Sequence, residues 1–172
     1  MRAFTIGHGT RPTEELVECL RDAGVETLVD VRRFPGSRRN PQFDQAPLRA
    51  AVDAAGIAYR HEVELGGRRS GEPGEEGFGC IREPAFRSYA ARMRGRPWQD
   101  ALADTLREPS PCFMCAETPW QRCHRSLIAE LLHARGHDVV HLIRPGESSA
   151  HVPSAAADVL NGTLTLCGSL VA

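Results

Sequence analysis

Short apolar runs, each stopping at a glycine or an aspartate and alternating with amphipathic stretches, constrain this chain more than any other feature. The first run is Ala3-Phe4-Thr5-Ile6, closed by Gly7. Thr13, followed by Glu14 and Glu15, is placed to cap a helix that carries Leu16, Val17, Leu20 and Ala23 at helical spacing, and Gly24 stops it. Thr27-Leu28-Val29-Asp30-Val31 is a second buried run. Strand, helix, strand is therefore the opening unit, with a right-handed parallel crossover. The alternation continues with a helix over 45–55 and a short strand at Ala58-Tyr59-Arg60-His61. Helices over 84–93 and 98–106 follow, then a strand at Cys112-Phe113-Met114-Cys115, a helix from Thr118 to about Arg135, and a closing strand over 138–143. The pattern predicts an α/β fold: a three-layer, Rossmann-like single domain with a mostly parallel sheet. Residues 1–145 form that domain, and 146–172 are read as a C-terminal extension packed on it, with Leu164-Thr165-Leu166 as an added edge strand.

Two stretches interrupt the alternation. Residues 32–43 hold two prolines, a glycine and an asparagine and read as a long loop. Residues 66–79 contain six glycines and Pro73 and read as a candidate lid. No apolar run approaches the length needed to cross a bilayer. The N-terminus shows no signal-peptide pattern, which makes the cytoplasm the expected location and makes the six cysteines free, catalytic or metal-bound rather than paired. All 21 basic side chains are arginine, so lysine Schiff-base chemistry and a lysine-based phosphate loop are excluded. The net charge of −1 gives no global field for nucleic acid. Basic residues do crowd together from Arg32 to Arg69, which points to a local anion site.

Parallel sheets bind ligands beyond the carboxyl ends of their strands. Three segments bring reactive or anion-binding residues there. The strongest is Cys115-Ala116-Glu117, continuing to Cys123-His124-Arg125. Thr118, Pro119 and Gln121 resemble a helix start with a capping box. Helical spacing back from Leu127 and Ile128 would then turn Cys123 and His124 toward the sheet, with Arg125 at the edge of that face. Glu117 is the expected partner of Arg125 or Arg32. The second segment is Gly7-His8-Gly9, whose glycines allow close backbone approach and leave His8 facing the cleft. It lacks the third glycine of a dinucleotide fingerprint. The third leaves the second strand: Asp30 can pin an arginine for bidentate contact with an anion, with Arg32, Ser37 and Arg38 preferred over Arg33 and Arg39. Cys112 and Cys115 have the separation of a zinc knuckle, but three apart on a strand they face opposite sides. A metal set of Cys115, Cys123, His124 and His8 stays open, as does a Cys115/Cys123 redox pair.

These residues together resemble the domain of unknown function 488 family. The resemblance rests on Thr5-Ile6-Gly7-His8-Gly9, Asp30-Val31-Arg32, Pro35-Gly36-Ser37-Arg38 with Phe43, Gly56-Ile57-Ala58-Tyr59, Leu65-Gly66-Gly67 and the Cys115 to Arg125 element. It implies a Rossmann-like α/β domain and, from the description some members carry, a link to DNA repair; it implies no particular activity. Cys112 falls outside the family pattern.

Three functional expectations follow. The first is an enzyme acting on a small anionic or nucleotide-like substrate. Arg32 and Arg38 would bind the anion, Cys115 or Cys123 would act as nucleophile or redox thiol, and His8 or His124 as acid/base. The second is a redox or hydrolytic enzyme using a transition metal held by the same thiols and histidines. The third is a nucleic-acid-binding module.

Overall fold

The structure, a computed structural model, describes residues 1–36, 38–67, 70–160 and 163–171. Strand β1 (Arg2–Gly7) leads through α1 (Thr13–Asp22) to β2 (Thr27–Asp30), then α2 (Gln45–Ala54) and β3 (Ala58–His61). Helices α3 (Pro84–Met93) and α4 (Arg96–Thr105) precede β4 (Pro111–Cys115). Helix α5 (Arg125–Ala134), β5 (Asp138–Arg144) and β6 (Glu147–Ala150) complete the main unit. The six strands pair in the order β3-β2-β4-β1-β5-β6, all parallel except β6, which returns antiparallel along β5. The closing strand is thus β6 and not β5, as the sequence suggested. Polar Ser148 and Ser149 suit an edge strand but carry no apolar alternation to read.

Alternation along each strand divides the core in two. Phe4, Ile6, Leu28, Cys112 and Met114 face α1 and α2. Ala3, Val29, Phe113 and Cys115 face α3, α4 and α5. Cys112 and Cys115 therefore lie on opposite faces of the sheet, as their spacing demands, and burial pushes the Cys112 thiol pKa up. Helix α1 departs from expectation at its start. Pro12 occupies the cap position, and no side chain caps the helix, so Thr13 lies inside the first turn.

Beyond β6 the C-terminal residues do not extend the main sheet, and Leu164-Thr165-Leu166 is not its edge strand. Strands β7 (Ala157–Leu160), β8 (Thr163–Leu166) and β9 (Ser169–Leu170) form a separate antiparallel sheet. Leu164, Leu166 and Val171 insert into the same core as α3 to α5. The glycine-rich stretch that follows β3 is fastened at its far end. Phe78 is fully buried, Ser169 Oγ donates to Gly77 O at 2.7 Å, and Cys80 is disulfide-bonded to Cys167. A second disulfide joins Cys115 to Cys123, while Cys19 and Cys112 are free and buried. Four of the six cysteines are thus paired, contrary to the expectation drawn from composition. Among the described residues, no helix is long and apolar enough to cross a membrane.

Candidate functional site

The chain moves outward in one direction from β1 to β2 and in the other from β4 to β5, so the sheet has its switch point at β1 and β4. The loops after β1, β2 and β4 all rise from that carboxyl edge. They enclose a cleft of about 670 Å³ whose walls include His8, Arg32, Cys115, Glu117, Cys123 and His124.

Gly7 explains how the walls come so close. Pairing of β1 with β4 continues past the strands, with His8 N donating to Cys115 O and Gly9 N to Ala116 O, both at 3.0 Å. The chain leaving β4 then crosses directly over the end of β1. A Cβ on Gly7 would collide with the Glu117 carbonyl and lie 2.6 Å from the Arg125 guanidinium. Gly9 adopts φ 54°, where a side chain would be strained and would strike Thr118 Oγ1.

The segment that crosses is not the helix expected from Thr118. Thr118 O, which would open a helical ladder, instead accepts from Arg125 Nη2 at 2.7 Å. Residues Trp120–Arg122 make one 3₁₀ turn, and Cys123 is extended at φ −128°, ψ 146°. The helix begins only at Arg125. Tertiary contacts overrode a good local capping signal. Cys123 and His124 still reach the cleft, from the approach to the helix and not from its face.

Cys123 meets Cys115 at the base of the cleft, their Cα atoms 7.5 Å apart. Beneath them Arg125, 1% exposed, places Nη1 2.9 Å from Cys115 Sγ. Burial lowers its pKa to about 10, which leaves it charged at neutral pH. A buried guanidinium against sulfur favours a thiolate there. His124 Nδ1 lies 3.6 Å from Cys123 Sγ, and the His124 ring meets the edge of Tyr89 at 5.0 Å. Gly67 makes room for that ring, since a Cβ there would fall 2.5 Å from His124 Nδ1.

On the opposite wall, Asp30 clamps Arg32 through Oδ1 to Nε at 2.8 Å and Oδ2 to Nη2 at 2.6 Å, and Tyr59 donates to the same carboxylate at 2.7 Å. Burial, then the Asp30 charge, pushes the Tyr59 phenol pKa up, so it remains a donor. Arg32 Nη1 approaches His8 Nε2 at 3.3 Å. A guanidinium can only donate, so Nε2 is the acceptor and Nδ1 carries the proton given to Gly9 O at 2.9 Å. Burial and the Arg32 charge pull the His8 pKa down to about 4. His8, stacked on Phe43 at 4.4 Å, is a neutral spacer in the wall with both nitrogens engaged.

Gly7 and Arg125 lie behind the cleft wall. Glu117 is on the wall and exposed, and it does not form the expected pair: Arg32 is bound by Asp30, and the Arg125 amino groups by Cys115 and Thr118 O. Arg38 is exposed and outside the walls, whereas Arg33 and Arg39, both discounted in the sequence, line them with Arg122. Ser37 lies outside the described residues. The side chains of Cys115, Cys123, His124 and His8 do not assemble as metal ligands. Among the described residues no group of three or more His, Cys, Asp or Glu side chains is arranged to hold a metal ion, and both His8 nitrogens are already engaged.

Residues 12–132 match the family model for domain of unknown function DUF488, which covers well over half of the chain. The chain belongs to the DUF488 family. No curated protein and no solved structure matches it. The matched span of the DUF488 domain contains the Asp30–Arg32 clamp, both cleft cysteines, His124 and Arg125. Gly7, His8 and Gly9 precede it.

Proposed function

We propose that the DUF488 domain of this chain is a thiol-dependent enzyme that carries out thiol–disulfide exchange on a small anionic substrate. The observation that carries this reading is the Cys115–Cys123 pair at the base of an arginine-walled cleft, with Arg125 Nη1 2.9 Å from Cys115 Sγ. In the reduced protein, the Cys115 thiolate attacks one sulfur of a low-mass disulfide. The sulfur–sulfur bond breaks, one substrate thiolate leaves and takes a proton, and a mixed disulfide remains on Cys115. The Cys123 thiolate then attacks the Cys115 sulfur and releases the second substrate thiol. The product is the Cys115–Cys123 disulfide, and a second dithiol returns the protein to its starting state.

Arg125 lowers the cost of the Cys115 thiolate, and His124, 3.6 Å from Cys123 Sγ, is placed to take the Cys123 proton. Arg33, Arg39 and Arg122 on the walls suit carboxylate or phosphate groups of the substrate. Phe34 and Phe86 beside them suit an apolar or planar portion, which keeps nucleotide-like thiols within the class.

The test uses glutathione disulfide as an anionic probe and cystamine as a cationic one of similar chemistry. The reduced protein reacts faster with glutathione disulfide, Cys115→Ser abolishes the reaction, and Cys123→Ser stops at a mixed disulfide seen as added mass. Equal rates with both probes would remove the anion preference. Exchange that survives Cys115→Ser would remove the mechanism.

A further inference from the structure

Outside the cleft, four side chains from four parts of the fold make a continuous buried chain. Thr5 Oγ1 of β1 lies 2.7 Å from His141 Nδ1 of β5. His141 Nε2 lies 3.0 Å from His151 Nδ1, just beyond β6. His151 Nε2 faces Glu130 Oε2 of α5 at 3.4 Å, and Glu130 Oε1 accepts from Ser154 N at 2.7 Å. All four side chains are buried.

Two proton arrangements fit this chain. In the first, Thr5 donates to His141 and His141 to His151, while His151 Nε2 faces the Glu130 carboxylate at ion-pair distance without a hydrogen bond. With one more proton, carried on His151 against that carboxylate, His151 donates to His141, and His141 turns its donor to Thr5. The other groups facing the chain are Arg125, whose charge acts on His141, the His133 ring 5.8 Å from His151, and Trp120.

Trp120 connects this chain to the cleft. Its indole stacks on His141 at 4.0 Å with the planes 7° apart, and the His151 ring lies 5.3 Å away across its edge. Gln121 and Arg122, the rest of its turn, are exposed, so Trp120 is the packed residue of the three. Cys123 N donates to Trp120 O at 3.2 Å. A proton on His151 makes its contacts with Glu130 and His141 charge-assisted, which fixes the His141 ring under the indole.

We propose that Trp120, clamped on His141, is a positioning residue that holds Cys123 against Cys115, and that a proton entering the Thr5–His141–His151–Glu130 chain tightens the clamp. This rests on the reading of Cys115 and Cys123 as the working pair, but its test needs no substrate. The equilibrium constant of the Cys115–Cys123 disulfide is measured against dithiothreitol alone, from about pH 4 to about pH 8, in the full chain. Trp120→Ala shifts it toward the dithiol by about tenfold or more, whereas Trp120→Phe, which keeps a stacking ring, stays near the parent. The ratio of the parent constant to that of His151→Gln rises on the acid side by about threefold or more, as expected of a charge-assisted contact. In a Trp98→Phe background, which leaves Trp120 as the single indole, acid quenching of fluorescence follows the same midpoint and disappears with His151→Gln. Glu130→Gln weakens both effects and serves where His151→Gln does not fold. A Trp120→Ala constant equal to the parent's, or parallel pH profiles for parent and His151→Gln, would overturn the proposal. Inactivity on glutathione disulfide together with a Trp120-dependent constant would overturn only the function.

Discussion

At the scale of single residues, two glycines decide whether the cleft exists. Gly7 lets the chain after β4 cross the end of β1, and Gly67 lets His124 sit at the wall. Gly7→Ala must push back the Glu117 backbone and the Arg125 guanidinium together. It is expected to cost about 2 kcal/mol or more, by analogy with overpacked cores. Urea unfolding gives the stability, and slower alkylation of Cys115 in the reduced variant reports loss of the Arg125 contact; a variant as stable as the parent would contradict the crossing. The Gly7-His8-Gly9 element was legible as a close-approach motif, but what approaches it was not, because Glu117 is more than a hundred positions away in sequence. His8 was read as facing the cleft, which it does. Its neutral, fully engaged state depends on Arg32 and Phe43, and no local pattern announces them.

At the scale of elements, the strand ends set the chemistry. Alternation on β4 separated Cys112 from Cys115 correctly, because period-two geometry on a buried strand leaves no choice. The Asp30–Arg32 clamp was equally legible, since both residues leave the same strand two positions apart. Asp30→Asn strips a buried guanidinium of its counter-charge, so a loss of about 3 kcal/mol or more is expected. Thermal unfolding measures it, and Asp30→Asn unfolding at the parent's midpoint would show that the clamp adds nothing. The helix after Thr118 was misread because its capping signal covers four residues, whereas the contacts that break it lie beyond them: Arg125, seven residues on, takes Thr118 O, and His141 of β5 lies under Trp120. Which arginine of residues 32–39 faces the cleft was also illegible. A loop has no periodicity to assign faces, and the fold turned Arg33 and Arg39 inward where Arg38 was expected.

At the scale of the whole molecule, two buried neutral histidines couple stability to pH. Burial lowers the His8 pKa from 6.5 to about 4 and the His141 pKa from 6.5 to about 3. Between those values and 6.5 the unfolded chain binds more protons than the folded one, so stability is full above about pH 6.5 and falls with acid. The loss is on the order of 3 kcal/mol for each histidine by the time pH reaches about 4. Urea midpoints across that range test it, and a flat profile would contradict it. The Cys80–Cys167 disulfide spans 87 residues and ties the glycine-rich stretch to the C-terminal sheet. Replacing both cysteines by serine is expected to cost about 2–4 kcal/mol, read from the same unfolding curves. The layered sheet was legible from its alternating pattern, whereas the small C-terminal sheet was legible only as a strand at Leu164-Thr165-Leu166, because β7 to β9 are too short to show which strands they pair with. The proposed thiol chemistry requires that Arg125 make Cys115 the reactive member of the cleft pair. Alkylating the reduced protein across pH and locating the label by mass measures this. Cys115 is expected to react with a midpoint well below the ordinary thiol value of about 8.5, and Arg125→Gln to move this midpoint upward. An ordinary Cys115 midpoint, or one that Arg125→Gln leaves in place, would contradict that requirement.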